Sequence, residues 1–121
     1  MGEQNINAGR DIHVGGDFVV ADQIRNSFNK VWNSSANDEM KDVLRQLGEA
    51  IQQLAASLPD KDAKDATEEY DRLNEEAAKT EPKKSWLRTT LDNLKEIATT
   101  VGTVGTPVLD LIAKAKVIFG L

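Results

Sequence analysis

The chain has 121 residues and a net charge of −5, enough for one small domain with an arm. Without a cysteine it has no disulfide framework and no thiolate metal site. The charge is uneven: −1 over residues 1–34, −6 over 35–80 and +2 over 81–121, so no basic face of the kind that general nucleic-acid binding requires is predicted.

The first 26 residues carry the most regular pattern. Cut every six residues from Glu3, they read EQNINA, GRDIHV, GGDFVV and ADQIRN. The third position holds Asn5, Asp11, Asp17 and Gln23, and the fourth holds Ile6, Ile12, Phe18 and Ile24. Ala8, Val14 and Val20 take the sixth position, which decays at Asn26. Side chains alternate along an extended chain, so the fourth and sixth positions of each unit share a face. Gly9, Gly15 and Gly16 stand at the seams, where tight corners favour glycine. The pattern predicts a short β-repeat arm over about 3–22, within a self-association region 1–26. Its associating residues are Ile6, Ala8, Ile12, Val14, Phe18, Val20 and Ile24, and its corners are Gly9, Gly15 and Gly16. Four short units leave unpaired edges, which recruit further strands. The competing expectation is an ordinary hairpin turning at Gly15-Gly16.

After the repeat the period changes to helical. Ile24, Phe28, Val31 and Trp32 predict a short helix leading out of the arm. Ser35 with Asp38 resembles a capping box, and Asn37 is the competing N-cap. Met40, Leu44, Leu47, Ile51, Leu54 and Leu58 then form a 4-3-4-3-4 seam, giving a helix over about 37–58 that Pro59 ends. Gly48 within it costs about 1 kcal/mol relative to Ala and is expected to admit a close neighbour. A second helix, about 60–80, is capped by Asp60 and has an alanine-rich seam of Ala63, Ala66, Tyr70, Leu73 and Ala77. Its acidic residues, Asp62, Asp65, Glu68, Glu69, Asp71, Glu75 and Glu76, are expected to form a solvated face, supported by a Glu75–Lys79 pair.

Helices over about 84–101 and 106–119 complete the pattern, broken between them by Gly102-Thr103-Val104-Gly105. Thr106 is expected to cap the last, with Pro107 in its first turn. Its stripe of Val108, Leu111, Ile112, Ala115, Ile118 and Phe119 is expected to complete the core of the 27–121 bundle, with a membrane-surface or partner-docking helix as the second choice.

No catalytic, cofactor-binding or metal-ligating set emerges. His13 is the only histidine, Ser34 and Ser35 lack a nearby base, and the glycines of the repeat match neither phosphate-loop nor dinucleotide spacing. Trp86 beside Lys83 and Lys84 is expected to anchor a helix start rather than stack on a ligand.

The run NINAGRDIHVGGDFVVADQI resembles the Gly/Asn/Asp-punctuated β-motifs at the ends of bacterial immune and conflict-system proteins, which are similar to amyloid signalling sequences. The remainder, including EEAAKTEPKKSWLRTTLDNLKEIATTVGTVGTPVLDLI, resembles a small helical module carried beside effector or NTPase domains. Amyloid signalling motifs hang from a linker, whereas here the repeat passes directly into helix. The expectation is therefore a mostly α protein, a β-repeat arm followed by a three- to four-helix bundle. It would act as a non-enzymatic homo-oligomerising or adaptor module in bacterial defence or signalling. It needs no cofactor and no nucleic acid, and a protein carrying a similar repeat would be its partner. The alternative is a membrane-acting protein using the apolar C-terminal helix. The N-terminus lacks a secretory pattern, which fits a cytoplasmic location.

Overall fold

The structure, a computed structural model, describes the backbone of residues 12–121 and the side chains from Val20 onward. It is a mostly helical bundle. The helices are α1 (Ile12–Trp32), α2 (Asp38–Ala55), α3 (Asp60–Ala77), α4 (Lys84–Thr99) and α5 (Thr106–Phe119), with a 3-10 turn at Gly102–Gly105 before α5.

Helices α2 to α5 form a ring in which α2 touches α3, α3 touches α4, α4 touches α5 and α5 returns to α2. Short connections make successive helices antiparallel. The apolar spacing of each helix explains this closure. Leu44, Leu47, Ile51 and Leu54 of α2, Leu87, Leu91 and Leu94 of α4, and Val108, Ile112 and Phe119 of α5 are all buried in one core. The C-terminal stripe is therefore turned inward. Outside, α5 presents Asp110, Ala113, Lys114 and Val117, of which Val117 alone is large and apolar. Among the described residues, no helix is long and apolar enough to cross a membrane.

Helix α1 is added to this ring, packing against α3 and α2. The lead-out helix expected from Ile24 thus starts at Ile12 and is longer than its spacing suggested. The repeat is divided accordingly. Ile6, Ala8, Gly9 and the rest of residues 1–11 lie outside the described residues. Ile12, Val14, Gly15, Gly16 and Phe18 fall in the helical backbone of α1, and the fourth unit, ADQIRN, is helix in this structure.

The helix ends correct several sequence expectations. Asn37, not Ser35, caps α2, its Oδ1 accepting from the Met40 N–H at 2.8 Å. Asp60 is the first residue of α3, whose cap position is Pro59, and Gly105 rather than Thr106 stands at the cap of α5. Helix α2 stops at Ala55, yet Leu58 stays buried in the turn that follows. Two glycines are dictated by space or angle. Gly102 has φ 67°, in the left-handed region that turns the chain out of α4. A side chain on Gly105 would strike the backbone carbonyl of Ala98.

Candidate interaction surface

The candidate site is the docking of α1, because α1 is the element through which the repeat joins the bundle. Its anchor is Ile24, 6 % exposed, with Val31 fully buried and Val20 and Phe28 half-buried around it. A slot on α2 receives this end of α1. A Cβ on Gly48 would lie 2.5 Å from the Tyr70 hydroxyl and 3.0 Å from Ile24 Cγ2, so three helices meet where α2 lacks a side chain. The close approach expected at Gly48 is found, and its neighbours are Tyr70 of α3 and Ile24 of α1. Tyr70 is fully buried and donates its hydroxyl to the Leu44 carbonyl at 2.6 Å. Burial pushes its phenol well above the ordinary value.

A polar cluster fixes α1 one turn further along. Ser27 Oγ donates to Asp71 at 2.7 Å, and Lys30 Nζ donates to Asp71 at 2.8 Å and to Glu75 at 3.2 Å. Burial works against the Asp71 charge, but the hydrogen bonds from Lys30 and Ser27 outweigh it and hold the carboxyl below its ordinary range. The bond to Asp71 likewise raises Lys30, against the cost of its own burial. Residue numbers rise together along α1 and α3 in these pairs, so the two helices run parallel. They fall along α2 as they rise along α1, from Ile24 beside Gly48 to Trp32 beside Lys41.

The acidic side of α3 is less solvated than its sequence suggests. Glu69 and Glu76 are buried, at 8 % and 7 % exposure. Glu69 accepts from Arg72 and from Asn93 Nδ2 of α4 at 3.0 Å. Glu76 accepts the Lys83 backbone N–H at 2.8 Å, the donor at the start of α4 that no side chain of α4 satisfies. That bond, first, and the Lys79 ammonium at 3.0 Å hold its carboxyl below the ordinary range. Glu75 pairs with Lys30 of α1 rather than with Lys79. Asn74, fully buried, has an amide that completes no hydrogen bond through either atom among the described residues.

Comparison with family models, curated proteins and solved structures finds no match to this chain.

The exposed side of the α1–α2 seam carries the aromatic surface of this end. Phe28 and Trp32 stack obliquely with centroids 5.9 Å apart, Trp32 is 59 % exposed, and Lys41 lies over its ring at 5.7 Å. Arg45 closes the groove's wall, already paired with Asp42 at 2.9 Å and Glu49 at 3.0 Å. Trp86 is 56 % exposed at the start of α4. Among the described residues, no three His, Cys, Asp or Glu side chains converge as a metal site would require. Of the expected associating residues, only Val20 and Ile24 have described side chains, and Ile24 is seated in the bundle. The Asp71 cluster was not legible in the sequence, because Ser27 and Lys30 read as ordinary polar positions until α1 is laid along α3.

Proposed function

We propose that this chain is a non-enzymatic self-association or adaptor module of a bacterial defence or signalling system. It assembles through its N-terminal hexad repeat and carries the helical bundle with it. The observation that carries this reading is the repeat itself: an apolar–x–apolar triplet recurring every six residues through three units, preceded by Asn5, Asp11 and Asp17, with glycines at the seams. Such short units cannot satisfy their own edges and gain backbone hydrogen bonds by adding copies. The bundle suits a carried module, because α2 to α5 close on one another and their outer faces are largely charged. The resemblance to conflict-system motifs supplies the setting.

The reading is tested on the full chain by light scattering across a concentration series. Ile6→Asp and Ile12→Asp each place a charge on the associating face and should reduce a multimeric mass to that of the monomer, with helix content by circular dichroism nearly unchanged. A multimer of unaltered mass in both variants overturns the reading.

A further inference from the structure

Ile24 is claimed twice. In the repeat it is the fourth-position residue of the last unit, in line with Ile6, Ile12 and Phe18. In the bundle it is a core residue seated beside Gly48 and Tyr70. One side chain cannot serve both, since a strand alternates faces at period 2 and α1 holds the same residues at period 3.6. The conflict extends upstream, because α1 is helical from Ile12 and so takes in the whole third unit. Its sequence there, IHVGGDFVV, is a poor helix former: two adjacent glycines and four β-branched residues, each disfavoured in a helix interior relative to Ala.

Resting on the self-association reading above, we propose that docking of α1 on the α2–α3 groove is an autoinhibitory contact. The docked helix withholds the third and fourth units of the repeat, and assembly requires that Ile24 leave its slot. The docking contacts then set how much chain is competent to assemble, because a competent state populated only in part lowers apparent affinity by that fraction. Two features place the control away from the repeat. The Gly48 slot is on α2 and the Asp71 cluster on α3, so either can be weakened with the repeat intact.

Gly48→Ala and Asp71→Asn, made in the full chain, provide the test. A helix-interior Gly→Ala normally stabilises, but here the added methyl meets the Tyr70 hydroxyl at 2.5 Å and Ile24 at 3.0 Å, so the crowding loosens the α2–α3 contact together with the docking of α1. Asp71→Asn weakens the Lys30 and Ser27 bonds without touching Ile24. Both variants should assemble at lower protein concentration than the parent chain: roughly threefold lower for Asp71→Asn, whose ion pair is part-exposed, and roughly tenfold lower for Gly48→Ala. Amide exchange along α1 should speed up in the same order. If α1 exchanges faster in either variant and the concentration for half-assembly is unchanged or higher, the competition is overturned while self-association stands. If the parent chain and both variants stay monomeric, and Ile6→Asp changes nothing, the self-association reading falls and the competition with it. Should Gly48→Ala lose its bundle by circular dichroism, Asp71→Asn decides alone.

Discussion

Asn74 is the residue at which the core contradicts itself. It is fully buried on α3, and neither amide atom has a partner among the described residues. At about 100° per residue, it sits on α3 between Tyr70, which faces α2, and Asp71, which faces α1. An amide left unpaired in the interior costs about 1–3 kcal/mol, whereas an apolar group of the same shape costs nothing in lost hydrogen bonds. Asn74→Leu, close to the amide in shape, should therefore raise the unfolding free energy by about 1–2 kcal/mol. Urea unfolding followed by circular dichroism checks this, and a fall in stability would show that the amide has a partner within the bundle. Tyr70 is the contrasting residue on the same helix. Its hydroxyl is equally buried, but the bond to the Leu44 carbonyl satisfies it, and the missing side chain at Gly48 makes room for it.

At the scale of the element, Glu76 shows how one helix completes the next. Helix α4 begins at Lys84 with no acidic residue in its first turn and no side-chain cap of its own. The Glu76 carboxylate, from the last turn of α3, accepts the Lys83 N–H instead. A carboxylate near a helix N-terminus is also favoured by the helix dipole. The folded-state value of Glu76 lies below its ordinary 4.5. Its contribution is therefore complete above that value and is lost as the pH falls through the lower folded one. Asp71 is depressed in the same sense from 3.8 and adds to the same acid limb. Lys30 acts at the other end, contributing fully below its ordinary 10.5 and losing its contribution as the pH rises through its raised value. Glu76→Gln should flatten the acid limb of stability against pH below about 4.5 and leave the limb above pH 10 unchanged. Chemical denaturation at a series of pH values measures both limbs, and an acid limb of unaltered slope would remove Glu76 from this role.

Across the whole molecule, stability is expected to be uneven. Helices α2 to α5 close on one another, and α1 lies outside that ring, packed on α3 and α2. Within its described stretch from Val20, α1 buries Ile24, Ser27 and Val31, against six buried residues on α2. An element with fewer buried apolar contacts opens at lower free energy than the global unit. Amides of α1 should exchange before those of α2, α4 and α5 in native-state hydrogen exchange, and uniform protection across all five helices would refute this. Much of the ring was readable in advance. The 4-3 seam of α2, the alanine-rich seam of α3 and the stripe of α5 name most of their buried residues, since a helix that repeats apolar groups at such spacing must cover one face. The value of Gly48 as a point of close approach was readable for a related reason, glycine being costly in a helix unless something needs the room. The sequence by itself thus determined the helical class, the breaks at Pro59 and Gly102, and the inward stripe of α5, because local period and backbone chemistry decide these. Only the tertiary structure decided that Glu69 and Glu76 are buried, that Asp71 binds α1, and that Ile24 belongs to the core. Those assignments depend on which helices lie side by side, and pairing between helices leaves no period in a single chain.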